Sequence, residues 1–163
     1  MSGPSRGRGG SRGSEPGPGQ VLFEFVRHWS RRVSAADHQA AEQGRLVLVT
    51  EAVHSLTRRE IPATVNAVAR EIGIDQSGAS RLAKAAVEAG YLAMGTSATD
   101  GRRREVRVTA SGYVMVEQAH DWQEQVFDRL TEGWSERQRL DFQEAMLGLI
   151  GRSYALKARR ASR

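Results

Sequence analysis

Two short stretches concentrate the side chains that could do chemistry. The first carries Gln76, Ser77, Gly78, Ser80, Arg81 and Lys84 around the apolar positions Ala79 and Leu82. Amides and hydroxyls hydrogen-bond base edges, and guanidinium and ammonium groups meet guanine or phosphate. Such a face suits the major groove of double-stranded DNA. The second is Asp100 followed by Arg102, Arg103 and Arg104, beside an Asp100-Gly101 turn. Guanidinium groups at the projecting end of a hairpin suit a narrow minor groove, where the negative potential is strongest. Side chains alternate along an extended arm, which puts Arg102 and Arg104 on one face and Arg103 on the other. Asp100 shares parity with Arg102 and can pair with it and fix its direction. Arg102 is expected to enter the groove, with Arg103 or Arg104 on phosphate.

The first stretch needs a helix held at a fixed angle to its neighbour. Ala69-x-x-x-Gly73 puts a small residue where two helices cross and a glycine where the chain turns sharply between them. Val68, Ile72, Ile74, Ala79 and Leu82 supply the apolar contacts that lock the pair. This is helix-turn-helix spacing, with the second helix as the reader. Thr64 caps the first helix and is counted among the DNA-contact candidates; Asp75 or Ser77 caps the second, which closes at Gly90. The second stretch needs a hairpin. Tyr91–Met94 and Val106–Thr109 are short alternating segments separated by the arginine-rich loop Gly95–Glu105.

Helical periods flank this centre. Leu22, Phe25, Val26, Trp29 and Val33 form one stripe, and Leu46, Val49, Val53 and Leu56 a second. Beyond Gly112, Tyr113, Val116, Ala119, Gln123, Val126 and Leu130 mark a long helix. After a break at Thr131–Ser135 a last helix carries Leu140, Met146, Leu147 and Ile150. The expected fold is mainly α with a small β-hairpin, a winged helix-turn-helix core between N- and C-terminal dimerisation helices. Its domain spans residues 20–150, with the reader at 64–89 and the wing at 91–109. Residues 1–19 form a Gly/Arg/Ser/Pro tail too polar to fold, and 151–163 a basic tail.

The net charge of +5 divides unevenly. The first 20 residues carry +2 and the last 13 carry +5, which leaves −2 for residues 21–150. The basic balance therefore belongs to the tails, and an argument for nucleic acid must rest on the local clusters. Arg-rich tails alone would describe a second kind of molecule, a general nucleic-acid binder with the domain as its dimerisation core.

Other chemistries find little support. With no cysteine there is no disulfide, thiolate metal site or cysteine nucleophile. There is no Gly-rich phosphate loop leading into a helix and no His-x-x-x-His pair, so no enzyme and no cofactor is expected. The longest aliphatic run, Leu46–Val49, is far short of the ~20 residues a membrane helix needs. A cytoplasmic, nucleoid-associated protein is expected. His38 and Glu42 at i, i+4, and the cluster Glu117, His120, Asp121 and Glu124, would make a metal-responsive regulator if their helices met. No metal site is assigned. Phe25, His28, Trp29 and His54 are the candidate lining of a small-molecule effector pocket.

The chain resembles the MarR-type winged-helix repressors. Asp100-x-Arg102-x5-Val108-Thr109-x2-Gly112 is similar to their D-x-R…L-T-x-x-G wing motif, and Ser77-x-x-Ser80-Arg81-Leu82 to the S-x-x-T-R-L of their recognition helix. Ala79 and Val108 are smaller than the family's usual Val and Leu. The resemblance runs from about Gln20 to Ile150. It implies an obligate homodimer on palindromic promoter DNA, and in many members release by a small phenolic or lipophilic molecule.

Overall fold

The computed structural model describes residues 15–34, 38–96 and 104–161. Its elements follow in the order α1 (Pro18–Ser34), α2 (His38–Arg58), α3 (Val65–Ile72), α4 (Gln76–Glu88), β1 (Leu92–Thr96), β2 (Arg104–Val108), α5 (Ala110–Leu130) and α6 (Glu136–Ala161). The two strands form an antiparallel hairpin, with Leu92 opposite Val108 and Thr96 opposite Arg104. The expected mainly helical, winged helix-turn-helix architecture is the observed one.

The core gathers where α2, α3, α4 and the hairpin meet. Val49, Val53 and Leu56 of α2 pack with Val68 of α3, Ala79, Ala83 and Ala86 of α4, and Leu92 and Val106 of the hairpin. The fully buried residues of α4 are all alanine. These methyl side chains let its backbone approach α2 and α3 closely, with Leu82 and Val87 packed at the edge of the core, and the opposite face is left free for larger polar groups. Ile74 departs from its expected locking role. It sits at the surface, 37% exposed, and lines a cleft with Leu46 and Leu82.

Helix boundaries reflect local chemistry. α2 begins two turns ahead of its apolar stripe, because His38–Arg45 is polar and leaves no periodic signal. α5 begins at Ala110, ahead of the expected Gly112, because Thr109 caps it by accepting from the Gly112 N–H. α6 continues past residue 150 to Ala161, so much of the basic C-terminal stretch is helical.

Candidate nucleic-acid interface

The reader is built by three local devices. The Thr64 hydroxyl accepts from the Ala67 N–H and starts α3. Gly73, at φ 84, ends that helix in the left-handed region, and both its N–H and that of Ile74 donate to the Ala69 carbonyl. Only glycine adopts this conformation without strain, so the sharp turn falls where the sequence places it. Asp75 then caps α4: its carboxylate accepts from the Gly78 N–H at 2.8 Å and from the Ser77 hydroxyl at 2.5 Å. These hydrogen bonds, Ser77 first, hold the Asp75 carboxyl below its ordinary range. Of the two cap candidates, the structure uses Asp75.

These devices sort the candidate residues. Gln76, Ser77, Ser80, Arg81 and Lys84 are exposed on α4, Gln76 as its first residue and the others turned away from its buried alanines, and Gly78 is half-buried among them. Arg81 has no ion pair or hydrogen bond among the described residues, so its guanidinium is free for a ligand. Lys84 has only a loose partner, Glu88 at 3.7 Å, with both side chains mostly exposed. Such a pair contributes little and yields readily to phosphate. Thr64 is half-buried and its hydroxyl is engaged in the cap, so its first role is to position the reader.

The wing root is fixed to the reader. The Val106 N–H donates to the Ala63 carbonyl at 2.9 Å, which ties β2 to the residue before the α3 cap. Thr109 closes the base: its hydroxyl donates to the Gly90 carbonyl at 2.6 Å and its N–H to the Tyr91 carbonyl. Arg104 opens β2 and is exposed. It shares strand parity with buried Val106, so it lies beyond the core on the body-facing side of the hairpin. Asp100, Arg102 and Arg103 lie outside the described residues. Arg107, which sequence reasoning passed over, is exposed on the opposite face and donates to the Thr96 carbonyl, bracing the hairpin. Its signal was its position one residue after buried Val106, and it was hidden among the neighbouring arginines.

The effector candidates are not brought together. Phe25 and Trp29 are neighbours on α1, ring centroids 6.1 Å apart, and His28 is exposed beside them. His54 instead faces α5, edge-on to Tyr113 at 5.6 Å and stacked near His120 at 6.3 Å. The clefts at the wing root and between α2 and α4 are lined by other residues, among them Ile61, Arg107 and Tyr113 in the first and Arg45 and Arg81 in the second. His120 reaches Glu51 of α2 at 3.5 Å, and Gln123 donates to the same carboxylate at 2.9 Å. Among the described residues no group of three or more His, Asp or Glu is gathered so as to hold a metal ion.

The His54 contact has a pH consequence. Burial, then the charges of Arg58 and His120, push its pKa below the ordinary 6.5 against the opposing pull of Glu51. A folded-state pKa below the unfolded value means that the unfolded chain binds the proton more readily. The contribution is therefore complete above pH 6.5 and is lost as pH falls through the folded value. Thermal melts between pH 7.5 and 5.5 should show a decline in stability that is shallower in His54→Gln. Parallel profiles in the two proteins would remove His54 as the cause.

Residues 49–103 match the model of the MarR family. No curated protein sequence matches the chain. Among solved structures, a variant of Staphylococcus aureus MepR is similar with a TM-score of 0.57 at 17% identity, over 80% of this chain and 95% of that one. Bordetella bronchiseptica BpsR, solved in connection with regulation of its DNA binding by 6-hydroxynicotinic acid, gives 0.52 at 20% identity, over 80% of this chain and 98% of that one. An S. aureus MepR–DNA complex gives 0.50 at 16% identity, over 80% and 96%. At these identities the likeness to solved structures is one of fold. The matched segment holds the reader and the start of the wing, and the fold surrounds it with the expected helices. Residues 49–103 are thus similar to the MarR family, and the chain as a whole shares the winged helix-turn-helix fold of these structures.

Proposed function

We propose that the chain is a sequence-specific, double-stranded-DNA-binding regulator of transcription, without enzymatic activity. In this reading it represses as a homodimer on an inverted-repeat promoter site and is released by a small lipophilic or phenolic effector. The observation that carries the reading is the reader face itself. Gln76, Ser77, Ser80 and Arg81, which has no partner among the described residues, stand exposed on a helix whose fully buried residues are alanine, and a braced hairpin stands beside it. That DNA is seen bound to a neighbour of this fold supports the partner. That the DNA binding of another is regulated by 6-hydroxynicotinic acid supports an effector. Asp100 and Arg102 keep their proposed place in the minor groove, Arg102 inserted and Asp100 orienting it.

A dimer follows from apolar surface. Phe25 and Val26 of α1, Trp122 of α5, and Leu147, Ile150 and Leu156 of α6 are all exposed in the single chain. A symmetric partner covers such stripes without any other molecule, and a two-fold axis makes the bound site an inverted repeat. Selection of bound duplexes from random DNA tests both claims. The expected outcome is an inverted repeat of roughly 16–20 base pairs, its half-sites about one helical turn apart. Selection that returns no shared sequence, or sedimentation that shows a folded monomer at micromolar concentration, overturns the reading.

A further inference from the structure

α6 is anchored at two places and bare between them. Near its start, Phe142 stacks on Phe127 of α5 at 5.8 Å and meets Trp134 edge-on at 5.7 Å. Arg139 pairs there with Asp128 and donates to the Thr131 carbonyl. Leu147, Leu149 and Ile150 then stay exposed. At Tyr154 the helix touches the body again, against the corner that joins α2 to α3. The Tyr154 hydroxyl donates to Glu71 Oε1 at 3.2 Å, and its ring lies under the Arg59 guanidinium, 4.7 Å from the centroid.

Glu71 is the hub of this contact. Its Oε1 also accepts from Arg59 at 2.6 Å and from the Ser55 hydroxyl at 3.1 Å, and its side chain is 15% exposed. Burial alone would raise the Glu71 carboxyl, but Arg59, Ser55 and Tyr154 outweigh it and hold the pKa below the ordinary range. Glu71 lies on the first helix of the helix-turn-helix, against which the reader packs. The corner it braces includes Glu60, a non-glycine residue in the left-handed region at φ 58. Such a conformation persists only where its surroundings hold it.

We propose that Tyr154, Arg59 and Glu71 form a latch through which α6 sets the angle of the helix-turn-helix against the α5–α6 hairpin. Tyr154 lies twelve residues along the helix from Phe142, a rigid reach of about 18 Å. A shift of the hairpin is therefore delivered to the corner that carries the reader, rather than absorbed in a loop. Tyr154 is a positioning residue, and its effect on DNA rests on the DNA-binding reading above. The geometric claim does not rest on it.

The test uses both levels. The chain has no cysteine, so Glu88→Cys and Glu144→Cys in the full chain accept spin labels at two known places, on α4 and α6. Dilution with unlabelled protein leaves only the distance within one chain. With the latch intact the distance distribution is narrow; in Tyr154→Ala it becomes roughly twofold broader, and in Tyr154→Phe, which keeps the ring on Arg59, it changes less. An unchanged distribution in Tyr154→Ala overturns the latch. On DNA, the intact dimer should lose about tenfold in affinity when its half-sites are moved by one base pair, and Tyr154→Ala should lose much less. A merely structural role would lower the melting temperature without flattening that spacing preference, and this result too overturns the proposal. If the unsubstituted chain binds no duplex, the DNA-binding reading fails, and the distance measurement still decides the latch.

Discussion

Gly112→Ala is expected to cost about 3 kcal/mol or more of folding stability, a large share of the ~5–15 kcal/mol a domain has. A Cβ added at Gly112 would lie 2.1 Å from the Tyr91 carbonyl oxygen and 2.8 Å from Val108 Cγ1. The first is backbone and cannot rotate away. Relief requires α5 to lift from the hairpin base, which breaks the bond from the Thr109 hydroxyl to the Gly90 carbonyl and the cap that begins α5. Two effects thus add, steric overlap and a lost cap of about 1 kcal/mol. Gly148→Ala is the control. It sits inside α6 with nothing within 4 Å of an added Cβ, so it should be neutral or stabilise by up to about 1 kcal/mol. Urea midpoints of the two variants should move in opposite directions, or only that of Gly112→Ala should move. A Gly112→Ala protein as stable as the parent would show that the wing root is looser than this close approach implies.

The Thr-x-x-Gly pattern was legible as a motif, and the structure supplies its reason: threonine caps and glycine permits the approach. The same holds for the reader. Thr64, Gly73 and Asp75 act within four residues of their own positions, so their chemistry is written locally. The α6 boundary was less legible, because arginines after residue 150 read as a solvated tail although the helix continues beneath them. Ala83 and Ala86 were overlooked as core because alanine gives no hydrophobic stripe, yet the closeness of α4 to its neighbours depends on them. The contacts that join distant elements were beyond reach. His54 meets His120 and Tyr154 meets Glu71 across 66 and 83 residues, and nothing in either local pattern names its partner. The effector residues suffered from this most, since Phe25 and Trp29 share a helix whereas His54 turns to another.

Arg81→Ala is expected to have the largest effect on DNA binding of any single reader substitution. The residue is exposed on α4, its guanidinium has no partner among the described residues, and Ala79 and Ala83 on either side fix the backbone that carries it. A bidentate contact with guanine O6 and N7 contributes about 1–3 kcal/mol of discrimination, or roughly 5- to 150-fold for each half-site. In a dimer both half-sites lose it, so the affinity for the selected sequence should fall by the square of that factor. Non-specific duplex should be affected far less, by the loss of one cation from each protomer. The substitution should leave stability unchanged, since it empties no cavity and orphans no buried group. Anisotropy titrations on the selected sequence and on a scrambled duplex, at one fixed salt concentration, separate these effects. A drop confined to the selected sequence, with preference relaxed at one symmetric pair of positions, assigns Arg81 to a base. An equal drop on both duplexes, with a shallower dependence on salt, assigns it to phosphate and moves the task of base reading to Gln76, Ser77 and Ser80.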